Sequence, residues 1–205
     1  MRIIAGRFKG LPIPAALKGT RPTTDRTKEA IFSHLSAQGL ISGARVLDLY
    51  AGTGALGFEA LSRGASQLVA VESSRKAAGL ISSSMARLKA SPAWGAADSA
   101  RALPITVERF LASCQPGQAQ ASPQQSQGPA QTFDLIFIDP PYAYETADCE
   151  QLLARLLRAG LVADGCVVVL ERSTRSPEPQ LPEGWVLDQY KSYGETGVFY
   201  LEHRA

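Results

Sequence analysis

The sequence predicts an α/β fold: a doubly wound, mostly parallel sheet with a terminal antiparallel hairpin and a small N-terminal extension. Three observations predict it. Short apolar runs alternate with segments of helical period from residue 45 onward. A glycine-rich turn follows the first of those runs and opens a helix. Two final strand-like runs, at 185–190 and 198–202, are joined by a link too short for a helical crossover, so that pair must be antiparallel.

Residues 1–22 have no sustained period and are punctuated by Gly6, Gly10, Pro12, Pro14, Gly19 and Pro22. A short strand or hairpin is expected near Ile3, Ile4 and 11–13. Thr24 or Asp25 can cap a following helix whose apolar face is Ile31, Phe32 and Leu35. Buried strands are expected at 45–50, 67–71, 133–138 and 166–170, with helices at 55–63 and 75–89. Leu152, Leu153, Leu156 and Leu157 form the core stripe of a further helix. Residues 113–132 are rich in Gln, Ala, Ser and Pro and contain no charge and no aromatic, the composition of an insert that cannot bury enough surface to order itself. The organisation expected is an extension at 1–40 and a catalytic domain at 41–205 carrying the insert.

Composition narrows the function. The chain has 205 residues, 45% apolar and 20% charged, an ordinary globular mix. Its net charge is only +2, but residues 1–28 hold seven basic side chains against the single acid Asp25, a local +6, so the remainder sums to −4. A basic arm on a mildly acidic body points to a polyanionic partner, with Arg7, Lys9 and Arg21 as candidate nucleic-acid contacts. Cys114, Cys149 and Cys166 are few, odd in number and widely spaced, and His34 and His203 complete no metal-ligand pattern with them. No metal is expected. No apolar run is long enough to span a membrane, and no hydrophobic signal core opens the chain. A cytoplasmic monomer is the expectation.

The glycine turn runs from Asp48 to Gly57 and contains Ala51, Gly52, Thr53 and Gly54. Glu72 ends the next strand, where a carboxylate can accept both hydroxyls of a ribose. The glycine pattern alone suits a nicotinamide, a flavin or S-adenosylmethionine. Asp48 favours the last, because an acid near a pyrophosphate is unhelpful and near a sulfonium and an amino group is natural.

Asp139-Pro140-Pro141-Tyr142 closes the strand at 133–138. In open α/β sheets ligands bind at the carboxyl ends of strands, so this tetrapeptide belongs on the same rim as the glycine turn and Glu72. An exocyclic base amine is a poor nucleophile because its lone pair is delocalised into the ring. The Asp139 carboxylate and the Pro140 carbonyl can accept its two N–H groups and stabilise the charge that develops as a methyl arrives. Tyr142 can stack on the base.

With these motifs in hand, the chain resembles the bacterial small-subunit (16S) ribosomal RNA guanine-N2 methyltransferases. The likeness runs from Met1-Arg-Ile-Ile-Ala-Gly6 through Arg21-Pro-Thr-Thr-Asp-Arg26, the stretch from Asp48 to Gly64, Val71-Glu72 and Asp139–Tyr142, to Tyr193-Gly-Glu-Thr196. The resemblance implies a class I methyltransferase (Rossmann-like) fold, S-adenosylmethionine as cofactor, and small-subunit ribosomal RNA, free or in an assembling 30S particle, as partner. It implies that Arg21, Thr24 and Arg26 lie near cofactor and substrate. The polar contact to the adenine ring is open between Asp98 and the region of Thr106, with the balance toward Thr106. Competing readings are a DNA adenine-N6 methyltransferase, which usually carries a separate recognition domain; a glutamine methyltransferase, which usually presents Asn in place of Asp139; a non-catalytic assembly factor; and a nicotinamide dehydrogenase, for which no hydride-transfer acid or base is visible.

Overall fold

The computed structural model describes residues 1–15, 24–114, 132–141 and 143–204. Arg21, Tyr142 and most of the expected insert therefore lie outside the described residues. Seven strands form one sheet: β1 (Arg45–Leu49), β2 (Gln67–Val71), β3 (Ser99–Leu103), β4 (Phe133–Ile138), β5 (Val162–Ser173), β6 (Trp185–Tyr193) and β7 (Thr196–His203). Their order is β3-β2-β1-β4-β5-β7-β6. The first five are parallel, and β7 pairs antiparallel with both β5 and β6.

Helices cover both faces. On one face lie α1 (Asp25–Ala37), α2 (Ala55–Ser62) and α3 (Arg75–Lys89), packed over Val46, Leu68, Leu135, Phe137 and Val169. On the other lie α4 (Val107–Ser113) and α5 (Thr146–Arg158), packed over Leu47, Val69, Ile136, Ile138 and Leu170. Alternate residues of the same strands serve the two layers, which is why these strands read as continuous apolar runs. Asp134, the polar exception in β4, pairs with Arg45 on the neighbouring strand at 2.7 Å.

Several elements depart from expectation. β3 was not foreseen; its Ser-Ala-Arg-Ala-Leu sequence has no β-branched residue, and it forms an edge of the sheet. Residues 113 and 114 belong to the end of α4 and not to an insert. β5 runs three residues beyond 170, so that Glu171, Arg172 and Ser173 are strand residues paired with β7. Among the described residues no helix is long and apolar enough to cross a membrane.

The N-terminal arm forms a narrow turn held by Ile3 N–H on Leu11 O and Gly10 N–H on Ile3 O. It is fastened along α2. The buried Glu59 carboxylate accepts the N–H groups of Ile4 (2.8 Å) and Ala5 (3.0 Å) and pairs with Arg63 (2.8 Å). Ser62 Oγ accepts Phe8 N–H and donates to Ala5 O, and Arg7 N–H donates to Ser62 O. At Gly6, φ is +81° and a Cβ would sit 1.9 Å from Ser62 O, so any side chain there would drive the arm off the helix.

Two cations of this arm are used inside the protein. Arg7 grips Asp98 through both guanidinium nitrogens (2.7 and 3.0 Å) and donates to Leu61 O and Ala65 O at the C-terminal end of α2, where the helix dipole favours a cation. The Nζ of the buried Lys28 donates to Arg2 O (3.1 Å) and lies 3.4 Å from Asp25. Arg7, expected from the sequence as an RNA contact, clamps Asp98 and the end of α2 at the amino ends of the strands.

Removing the Glu59 carboxylate strands two buried N–H groups and Arg63. Glu59→Ala is expected to cost ~3–5 kcal/mol of unfolding free energy. In denaturant titrations and amide exchange, Ile4 and Ala5 should lose protection first; unchanged exchange at both would refute the fastening.

Candidate active site

The carboxyl ends of β1, β2, β4 and β5 open on one cavity of about 520 Å³. Its shape begins with the turn after β1. Tyr50 stands at φ +59°, an uncommon conformation for a bulky residue, and Gly52 (+56°) and Gly54 (+75°) follow with the same sign. Three left-handed residues in five reverse the chain so that α2 starts at once, with Gly54 as its N-cap. Gly57 serves packing: a Cβ there would lie 2.6 Å from Leu68 and 3.0 Å from the Asp48 carboxylate.

Two carboxylates hold this turn. Glu72 accepts Gly52 N–H at 2.8 Å through Oε2 and Ser74 N–H at 2.7 Å through Oε1. Asp48, 2% exposed, accepts Gly57 N–H at 3.0 Å. Burial pushes the Asp48 carboxyl up to about 7; the Gly57 N–H opposes that, and the charges of Asp139 and Glu72 add to it. Among the described residues no cation pairs with this carboxyl. A ligand bearing a sulfonium and an ammonium supplies one, while Glu72 keeps lone pairs for ribose hydroxyls. The residues present fit S-adenosylmethionine.

Of the expected cofactor residues, Asp48, Ala51, Gly52, Thr53, Glu72, Thr24 and Thr106 line the cavity. Gly54 acts behind it as the cap of α2. Arg26 stands exposed on the first turn of α1, away from the cavity wall. Thr24 accepts Thr27 N–H, so its hydroxyl also caps α1. The two candidates for the adenine contact stand at opposite ends of β3. Asp98 precedes β3, at the rim opposite the cavity; burial works against its charge, but Arg7 and Gly95 N–H hold its carboxyl below the usual range. Thr106 follows β3 on the cavity side and caps α4 through Arg109 N–H.

Asp139, Pro140 and Pro141 line the same cavity. The register Leu49↔Ile138 sets them beside the glycine turn. Tyr144 N–H donates to Pro141 O (2.8 Å), and Arg172 donates to Tyr144 O (2.8 Å), tying the loop after β4 to β5. The Tyr144 ring meets Tyr50 edge-on at 5.4 Å.

Sequence reasoning missed Tyr50, Glu171 and Arg172, and it named the segment 193–196 only through the resemblance. Glu195 and Thr196 reach the cavity because the β6–β7 turn lies next to the end of β5, where Ser173 pairs with Thr196. The signal that could have found Glu171 is an acid directly after an apolar strand run, the same signal that marked Asp139 and Glu72.

Comparison with known proteins now bears on this geometry. The sequence model of the family described as "Conserved hypothetical protein 95" matches residues 1–202. The "Ribosomal RNA small subunit methyltransferase D" of Escherichia coli K12 is 32% identical over 207 residues, covering 100% of this chain and 91% of the relative. The "Putative rRNA methyltransferase YlbH" of Bacillus subtilis is 31% identical over 206 residues, covering 100% of both. Among solved structures, the "Putative methyltransferase yhhF" from Escherichia coli superposes with a TM-score of 0.79 at 28% identity, covering 100% of this chain and 98% of the other. The fold is that of the class I methyltransferases, and the chain belongs to the family described as "Conserved hypothetical protein 95", together with the ribosomal RNA small subunit methyltransferase D proteins.

Proposed function

We propose that this chain methylates the exocyclic N2 of a guanine in small-subunit ribosomal RNA. The observation that carries the reading is the meeting, in one cavity, of a ribose-type acid (Glu72), a cation-seeking acid (Asp48) and an amine-gripping pair (Asp139 and Pro140). The names of the full-length relatives support ribosomal RNA as the substrate class. When bound, S-adenosylmethionine supplies an electrophilic methyl on a sulfonium.

The chain's own residues do the rest. Glu72 would orient the ribose, and Gly52 lets the backbone approach the ligand closely. Asp48 faces the cationic end. The Asp139 carboxylate and the Pro140 carbonyl accept the two N–H groups of the target amine, turn its lone pair toward the methyl and stabilise the charge that appears on nitrogen. Asp139 is placed to take the proton that the methylated nitrogen gives up. Tyr142 is assigned to stack on the base. Arg21, Lys9 and the exposed Arg26 are assigned to the RNA backbone, where contacts of this kind position without reading sequence. The RNA is presented free or within an assembling subunit, and the protein is assigned to a cytoplasmic monomer.

Labelled S-adenosylmethionine, offered with ribosomal RNA from a strain lacking the gene, should yield N2-methylguanosine in the small-subunit RNA. N6-methyladenine in DNA offered in parallel would overturn the substrate. Asp139→Ala should lower kcat about 100- to 1,000-fold and leave cofactor affinity within about twofold; an equal loss of cofactor binding would remove the role given to Asp139.

Asp48 adds a pH dependence. Burial lifts its carboxyl in the folded chain to about 7, from an ordinary aspartate value of 3.8. Between those values the folded chain holds a proton that the unfolded chain has released, so this group stabilises the ligand-free protein less as pH rises from about 4 to about 7. A cationic ligand requires the ionised form. Cofactor affinity measured by calorimetry should therefore climb with pH up to about 7 and then level, and Asp48→Asn should flatten that climb while weakening binding. A wild-type profile identical to that of Asp48→Asn would exclude Asp48 from cofactor binding.

A further inference from the structure

Two carboxylates on the cavity wall are buried among the described residues: Asp48 and Glu171. Asp48 belongs to the cofactor end. Glu171, 4% exposed, has no part in the steps above. Its place in the sheet is specific. Ile138 of β4 pairs with Leu170 of β5 in parallel register, so Asp139, the first residue past β4, is set beside Glu171 of β5. Glu171 falls on the strand face that carries Val169, and both acids line the cavity. Adjacent strands lie roughly 5 Å apart. The two acids therefore stand side by side at the cavity, one behind the Pro140 carbonyl and one ahead of the Arg172 anchor of the same loop.

We infer that Glu171 reads the target base, by accepting the ring N1–H of guanine while Asp139 and the Pro140 carbonyl hold the neighbouring N2 amine. The inference rests on the amine methylation proposed above and deepens it. Its basis is chemical. Guanine is the one common base whose exocyclic amine is flanked by a ring N–H. The amines of adenine and cytosine are flanked by a bare ring nitrogen, an acceptor that a buried carboxylate repels. Two adjacent acids thus match two adjacent donors of guanine and mismatch the other amino bases. A carboxylate offers about four lone-pair sites, so Glu171 can serve the base while keeping its contacts within the protein. An N1–H donated to an anion also returns electron density to the ring and makes N2 a better nucleophile.

The test uses a base analogue that keeps the N2 amine but, having lost the C6 carbonyl, presents a bare ring nitrogen beside it. The nucleotide methylated by the wild-type protein is first mapped on small-subunit RNA. Splint-ligated RNA then carries guanine or 2-aminopurine at that position; 2-aminopurine retains N2 but has a bare N1. The full-length wild-type protein should methylate the 2-aminopurine RNA with kcat/KM lower by about 10- to 100-fold, the discrimination expected of a well-placed polar base contact. Glu171→Gln, whose amide can donate to a bare N1, should lose about the same factor on guanine and recover activity on 2-aminopurine, closing or inverting the preference. Cofactor affinity should be unchanged in Glu171→Gln. A merely structural role would lower both substrates alike, and that result overturns the inference. Equal use of both RNAs by the wild-type protein overturns it without any variant. Methyl transfer to another nitrogen, or none to RNA at all, would instead bring down the functional reading on which the inference stands.

Discussion

The turn between β1 and α2 is the constraint on which the site depends. Tyr50, Gly52 and Gly54 all take left-handed backbone conformations, which costs energy at the tyrosine. Two charge-bearing acceptors hold the result in place, Glu72 on Gly52 N–H and Asp48 on Gly57 N–H. These acids have a double use. Asp48 accepts one backbone N–H and Glu72 accepts two, and both also line the cavity, so the groups that shape the cavity are part of its wall. Loss of either would alter geometry and charge together.

The parallel register extends that arrangement across the sheet. Once β1 is fixed, β2 brings Glu72, β4 brings Asp139 and β5 brings Glu171 to the same rim, each as an acid just past an apolar run. The rim concentrates negative charge in a partly buried place. At Asp48 burial raises the carboxyl, and the charges of Asp139 and Glu72 add to that rise. Such a rim favours ligands that bring positive charge or N–H donors. Arg172 binds the loop beyond Asp139 to β5 and keeps the catalytic stretch at a fixed distance from the neighbouring strand.

Much of this was legible in the sequence, for physical reasons that differ from residue to residue. The buried strands and the two glycine-bounded motifs announced themselves because interior strands must be apolar and tight turns must use glycine. Thr24 was readable as a helix cap and proved to be one. β3 was hidden because an edge strand needs neither β-branched residues nor alternation. Glu171 and Arg172 were hidden because the end of a strand depends on its partner, here β7, which lies far along the chain. The basic N-terminus is a sequence count that does not show pairing. Lys28 is buried on the Arg2 carbonyl, and Arg7 pairs with Asp98 at the surface. The motif that opens the chain is better explained by fastening: Gly6 lets the arm lie against Ser62, and Glu59 binds its amides.

The course of that fastened arm bears on how the protein can be handled. The arm follows α2 from the cavity side of the sheet toward the amino ends of the strands, and Met1 itself is part of the cavity wall. β7 runs antiparallel to β5 and so ends at the opposite rim, near Gly184 and Trp185. An affinity tag or fluorescent fusion placed before Met1 would begin at the mouth of the cavity. The same label placed after Arg204 would emerge on the far side of the sheet, leaving the entrance clear for binding and turnover measurements.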